Sequence, residues 1–309
     1  MGSIVLALAR RALRQRLWAA CVPAALLLGG CAWLDVQQRQ AALRPTIGRP
    51  AGFEPGAAAA TKWFKPGDLR WAVQVPAAPA SDGAAPAGTE PLALWWLPHP
   101  DPQAPTLLYL HGTFRNLYQN LSKIQALRDA GFAVLAVDYR GWGDSAALVP
   151  SEATIAADVQ VAWAEVQRRQ PAAGRRVIFG HSMGGAAAVT LASGLHGGRD
   201  YGALVLESTF TRLPDVAAAA GFWGRVGASL TTLQFDSLSR IGRIDAPLLM
   251  LHGSADRTVP VELGRRLRDA APAGVRWVEV PGGSHSRMHE EAPERYRQAF
   301  TDLIKQLAP

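Results

Sequence analysis

The chain has 309 residues, 49% of them hydrophobic, two cysteines and a formal net charge of +7. That length and apolar content suit one large buried core, of the size usual for a single α/β domain with extra segments. Four of the seven net positive charges come from Arg10, Arg11, Arg14 and Arg16, so the remaining body is only mildly basic and nucleic-acid binding is not implied. No metal-ligand spacing is evident, and no cofactor is expected.

In chain order, the basic stretch is followed by Leu17 to Leu34, an uncharged segment of 18 residues with no acid before Asp35. That is borderline for crossing a bilayer core of about 30 Å. Positive charge ahead of it favours a cytoplasmic N-terminus and an exported body. Residues 1–35 thus read as an uncleaved signal anchor, or as a lipoprotein signal in which Leu28-Gly29-Gly30-Cys31 resembles a lipobox and Cys31 becomes the lipidated first residue. A secretory signal that releases a soluble enzyme is the third reading. Either tether places the body at the membrane of a bacterial cell envelope, facing the periplasm. Cys21 and Cys31 both precede that body, which therefore has no intramolecular disulfide and no catalytic thiol. Residues 36–68, with Pro45, Pro50 and Pro55 among Gly-Ala runs, read as a spacer.

From residue 69 to 309 the pattern predicts one domain. Strands at about 69–75 and 91–97 form a hairpin-like pair around an Ala/Pro/Gly loop at 76–89. Strand and helix then alternate: strand 106–111, helix 117–130, strand 132–138, helix 151–169, strand 175–180, helix 183–195 and strand 202–207. Strand 247–252, helix 261–270, strand 275–280 and helix 291–307 complete the series. Such alternation predicts a mostly parallel sheet with helices on both faces, and places function at the strands' carboxyl ends. The excursion at about 208–246 reads as a short lid. Within it Phe222 and Trp223, together with Trp142 of the 141–145 loop, are candidates to line an acyl pocket, with ordinary packing as the alternative.

The chemistry concentrates at Gly180-His181-Ser182-Met183-Gly184, a G-x-S-x-G between a β-branched, aromatic strand and an Ala-rich helix. A serine on that turn is a candidate nucleophile, and it needs a base and a carboxylate to orient the base. Asp256, in the loop leaving the apolar run PLLMLHG, is the candidate acid; an Asx-turn or helix cap is its bland alternative, and Glu207 is the runner-up. His285, just past Gly282-Gly283 at another strand end, is the candidate base, with His289 as its rival. His111 and His252, each preceding a Gly at a strand end, read as loop hydrogen-bonders, and His181 as packing or hydrogen-bonding within the elbow. The run PTLLYLHGTFRN sets Thr113 just past a strand, where its backbone N–H and that of Met183 can face an oxyanion.

YLHG at 109–112, VDYRGWGDS at 137–145, GHSMGG at 180–185, LESTFT at 206–211, LHGSADRTVP at 251–260 and GGSH at 282–285 follow in order over roughly 200 residues. In this respect the region from about Pro105 to Leu307 resembles the α/β-hydrolase superfamily, and within it membrane-tethered hydrolases of the serine aminopeptidase-like type. The resemblance implies Ser182, Asp256 and His285 as the triad, and Met183 and Thr113 as oxyanion donors. It implies a structural loop around Asp138, Gly141, Gly143 and Ser145. The expected function is hydrolysis of carboxylic esters or thioesters, small or lipid-like, through an acyl-enzyme. A peptidase on the same triad and a non-catalytic binding protein of this fold are the alternatives.

Overall fold

The computed structural model describes Gly30 and residues 32–54, 62–78 and 88–307. Cys21, Cys31 and most of the expected signal or anchor segment lie outside the described residues. No helix among the described residues is long and apolar enough to cross a membrane.

Eight strands form one sheet: β1 (Leu69–Pro76), β2 (Thr89–Leu97), β3 (Thr106–Leu110), β4 (Ala133–Asp138), β5 (Arg176–His181), β6 (Ala203–Glu207), β7 (Leu248–Gly253) and β8 (Arg276–Val280). Their order across the sheet is β1-β2-β4-β3-β5-β6-β7-β8. β2 runs antiparallel to β1 and β4, and every other neighbouring pair is parallel. β3, β4, β6 and β7 are buried along their whole length, which is why they read as unbroken apolar runs rather than alternating ones.

Helices cover both faces. On one, Leu108, Leu110, Ile178, Leu204 and Leu206 meet α3 (Glu152–Arg169), α4 (Met183–Ala192) and α8 (Val261–Asp269). On the other, Leu107, Tyr109, Val177, Phe179 and Val205 meet α2 (Leu121–Asp129) and α10 (Pro293–Gln306). Because β4 and β5 flank β3 on opposite sides, the chain leaves the sheet in opposite directions there. The crevice opened at the carboxyl ends of β3 and β5 is the natural ligand position in such a sheet.

Local chemistry sets the boundaries. The helix expected at 117–130 begins as a 3₁₀ turn, Leu117–Asn120, capped reciprocally by Asn116 and Gln119, before α2. The last helix is split. α9 (Met288–Glu291) ends at Ala292, whose φ of −141° and ψ of 59° lie outside the helical region, as the following Pro293 requires. The excursion at 208–246 comprises α5 (Leu213–Ala219), α6 (Phe222–Leu230) and α7 (Leu238–Ile241).

The spacer expected at 36–68 is corrected by the structure. Residues 32–43 form a helix, α1, and Leu43 at its end is completely buried in the main core. The following turn is stitched to the body: the Gly48 N–H donates to the Gly143 carbonyl and the Gly143 N–H to Thr46, both at 2.8 Å. Asn116 donates to the Gly48 carbonyl at 2.8 Å. Phe53 packs on Tyr118, and Phe64 meets the edge of Trp95. Around Pro45, Gly48, Pro50 and Gly52 the chain forms a docked strap, because single apolar anchors find sites on the domain. Leu43→Ala should therefore cost about 2–5 kcal/mol of stability, as for a buried core leucine. Urea unfolding measures it, and an unchanged midpoint would restore the free-spacer reading.

Candidate active site

Ser182 ends β5 and begins α4 with φ of +54° and ψ of −121°, a backbone conformation seldom adopted by a residue with a side chain. Two glycines make that turn possible. A Cβ at Gly180 would run into the Gly184 carbonyl, and one at Gly184 into the carbonyls of Leu110 and His111. The Ser182 N–H donates to the Glu207 carbonyl at 2.8 Å, so the end of β6 holds the elbow in place. Met183 is the first residue of α4, where backbone N–H groups lack helical partners and favour negative charge.

Asp256, in the loop after β7, uses its two oxygens differently. Oδ1 accepts the N–H groups of Thr258 and Val259, each at 2.8 Å, which is the Asx-turn expected of it as a bland alternative. Oδ2 accepts from His285 Nδ1 at 2.7 Å. The turn and the pairing coexist. Burial pushes the Asp256 carboxyl up, but hydrogen bonds from His252, His285 and the Val259 N–H outweigh it and hold the group well below the usual carboxylate range.

With Nδ1–H donated to a carboxylate, the lone pair of neutral His285 lies on Nε2, the tautomer a general base requires. His285 and Ser182 line one cleft with Gly112, Thr113, Phe114, Arg115, Asn120, His181 and Ser286. Its free volume is only ≈ 10 Å³, about that of one water, so an acyl group requires the rim to give way. The loop after β3 abuts the serine: a Cβ on Gly112 would lie 3.1 Å from Ser182 Cβ, and Thr113 follows directly.

Three expected pocket residues stand elsewhere. Trp142 is wholly buried against His111 and Tyr139, because Gly141 and Gly143, both with positive φ, turn its side chain into the core. Phe222 and Trp223 are 63% and 79% exposed on α6, facing solvent rather than the cleft. His289, the rival base, meets Ser122 at 3.1 Å and does not line the cleft. Glu207, the rival acid, is fully buried with its carboxylate engaged by Lys123 and by the Tyr296 hydroxyl. It comes no nearer than 4.0 Å to His181 and is not paired with His285.

Of the supports beneath these residues, sequence reasoning missed Lys123, whereas the hydrogen-bonding histidines His181 and His252 were expected. Lys123 is 2% exposed, and burial lowers its pKa against the opposing pull of Glu207. Its only sequence signal is its place one turn before Leu127 on the buried stripe of α2. His181 is kept neutral, chiefly by burial and secondarily by Lys123, and its Nε2 meets the backbone carbonyl of His285 at 3.0 Å. His252 Nε2 lies 2.9 Å from the Val259 carbonyl and 3.3 Å from Asp256 Oδ2, bracing the acid loop.

Two measurements follow. Glu207→Gln strands the Lys123 ammonium in a dry site and should cost about 3–5 kcal/mol, with Lys123→Met in the same chain recovering most of it. A single variant as stable as the parent would show that Lys123 finds water. The second concerns Asp138 and His111, whose side chains lie 3.5 Å apart in the core behind the cleft. Burial lowers the His111 pKa to about 4 and raises that of Asp138 to about 8 against the Leu117 N–H. The folded pair holds one proton between those values. The unfolded pair also holds one from about pH 4 to 6.5, on the histidine, and none above. Stability should thus be level across the first window and fall from about pH 6.5 to 8, where only the folded state keeps its proton. Asp138→Asn should abolish that fall in urea midpoints, and a persisting decline would place its origin elsewhere.

With the geometry in view, comparison with known proteins is informative. Residues 100–235 match the family "Serine aminopeptidase, S33". The chain is 36% identical over 195 residues to Rv2307c, an uncharacterized protein of Mycobacterium tuberculosis strain H37Rv, covering 62% of this chain and 67% of that one. It is 32% identical over 185 residues to the lysophosphatidylserine lipase ABHD12 of Danio rerio, covering 54% of this chain but only 47% of the lipase. Among solved structures, the Pyrococcus furiosus esterase Pf2001 superposes with a TM-score of 0.60 over 79% of this chain and 94% of the esterase, a likeness of fold at 19% identity. The eight-stranded, mostly parallel sheet and these matches together place the chain in the α/β-hydrolase superfamily, among its serine aminopeptidase-type hydrolases.

Proposed function

We propose that the protein hydrolyses carboxylic esters or thioesters of lipid-like acyl groups through an acyl-enzyme on Ser182. The observation that carries this reading is the pairing of an elbow serine at φ +54° with a histidine whose Nδ1 lies 2.7 Å from a buried carboxylate. Ser182 Oγ attacks the carbonyl carbon while His285 Nε2 takes its proton. Asp256 holds the ring orientation and stabilises the imidazolium, and the N–H groups of Met183 and Thr113 receive the oxyanion. His285 then protonates the leaving oxygen or sulfur, and the tetrahedral intermediate collapses to the Ser182 acyl ester. Water, deprotonated by the same histidine, attacks that ester to release the acid and restore the serine.

Support for a lipid-like acyl group comes from the likeness to a lysophosphatidylserine lipase and from the apolar stretch Leu17 to Leu34, which we read as the tether to a bacterial envelope membrane. Lipidation at Cys31 and an uncleaved anchor are its two forms. In the first, Cys31→Ser leaves a heavier unprocessed chain by intact mass of the membrane fraction; in the second, it changes nothing but the residue mass.

Ser182→Ala should abolish ester hydrolysis and fluorophosphonate labelling while leaving the unfolding midpoint near that of the parent. Asp256→Asn should lower kcat by about 10⁴, the cost of the same change at a serine-protease triad. Appreciable turnover by folded Ser182→Ala protein would remove the serine from the mechanism. A screen across short and long esters, thioesters and aminoacyl amides ranks the leaving groups, and a preference for the amides would replace this reading with a peptidase.

A further inference from the structure

Helix α6 packs on α5 at Gly224, where a Cβ would run into the Ala217 carbonyl, and leaves its large side chains uncovered. Phe222, Val226 and Leu230 recur at four-residue intervals along it, with Trp223 beside them, and they are 63%, 39%, 63% and 79% exposed respectively. The helix carries Arg225 and no acid. Alone this would be an apolar stripe of unknown use. A second element lies against it: α1, tied to the end of α6 by Gln38 Nε2 donating to the Leu230 carbonyl at 3.2 Å and by Thr232 donating to Asp35 at 2.7 Å. Trp33 and Leu34, about one helical turn before Gln38, are 64% and 47% exposed and extend the apolar surface. Six large apolar side chains, two of them tryptophans, thus stand exposed on two helices joined at Leu230 and Thr232. Single exposed apolar residues are ordinary, but six on two joined helices suit a docking surface.

From this surface we infer that α1 and α6 together dock on a lipid bilayer, holding the cleft mouth at the membrane interface. Three observations favour a bilayer over a second copy of the chain. Trp33 and Leu34 are the last residues of the uncharged run that begins at Leu17, so the chain enters this surface directly from its most apolar sequence. Trp223 beside Arg225, on a helix without acids, matches the headgroup boundary, where rings sit between acyl chains and water and cations meet lipid phosphates. Finally, α1 joins the surface to the site. Its far end, Leu43, accepts the N–H of Phe114, which lines the cleft beside Ser182. Twelve residues of helix span about 18 Å, so substrate leaving the bilayer has a short path to the serine.

The lipid contact itself does not depend on catalysis, whereas its effect on turnover rests on the hydrolase reading. The experiment separates the two, using the full chain in vesicles of phosphatidylcholine and phosphatidylglycerol. Tryptophan emission is quenched with brominated acyl chains, and Trp223→Phe subtracts one reporter while keeping the surface apolar. The component lost with Trp223 should be strongly quenched by bromines; an unquenched component in vesicle-bound protein overturns the proposal whether or not the enzyme is active. In parallel, Phe222→Ser, Trp223→Ser and Leu230→Ser are combined. Hydrolysis of a long-chain ester presented in the vesicles should fall about tenfold or more, with a water-soluble short ester unaffected. An equal loss on both substrates would place these residues in the cleft's own action, against the proposal. A dimer in detergent that the triple variant abolishes, together with absent quenching, would assign the surface to a second copy.

Discussion

The elbow of Ser182 depends on one backbone hydrogen bond and on the ion pair behind it. The Ser182 N–H is satisfied by the carbonyl of Glu207, the last residue of β6, in a turn whose positive φ otherwise disfavours a side chain. The Glu207 carboxylate in turn is fastened by Lys123 from α2 and by Tyr296 from α10. A residue that could be mistaken for the catalytic acid thus connects the nucleophile to both helices on one face of the sheet. A buried charge pair is seldom the most stabilising filling for a core. Here its position accounts for its presence, since three elements meet at the residue whose carbonyl fixes the serine.

Economy of the same kind governs the acid loop. Asp256 forms its own turn with one oxygen and orients His285 with the other. In the mechanism proposed above, the turn fixes the carboxylate before any substrate arrives and leaves little reorganisation for the proton transfer to His285. His252 braces the loop from below, and His181 holds the backbone of His285 from the side of the nucleophile. Three imidazole rings and one carboxylate therefore form a connected support, from which His285 and His181 line the cleft beside Ser182.

The sheet was legible in the sequence because strands buried on both faces cannot alternate, and the five central runs announced themselves as unbroken apolar segments. The elbow was legible because glycine is required there by collisions with backbone. What escaped was set by tertiary partners. Lys123 reads as a solvated helix lysine until Glu207 is placed beside it. The stretch around Pro45 and Pro50 reads as a linker until Leu43 is seen in the core. Trp142 looks like a pocket wall because aromatic residues near a site usually are, but the backbone of Gly141 and Gly143 turns it inward. Pro293 was a visible break that the continuous helix expected at 291–307 passed over.

The cleft and the outer surface impose opposite demands that the fold meets with separate parts. Ser182 and His285 are buried beside a cleft whose free volume is only ≈ 10 Å³. Admission of a long acyl group requires movement, which a close-packed core resists. Movement is available at the rim, where Phe114 is 38% exposed, and in α6, none of whose residues is buried. Segments with few buried contacts open at low cost without disturbing the rest. α1 joins the two regions, anchored in the core by Leu43 at one end and bonded to Leu230 and Thr232 at the other. The same helix meets the cleft rim where the Leu43 carbonyl accepts the Phe114 N–H.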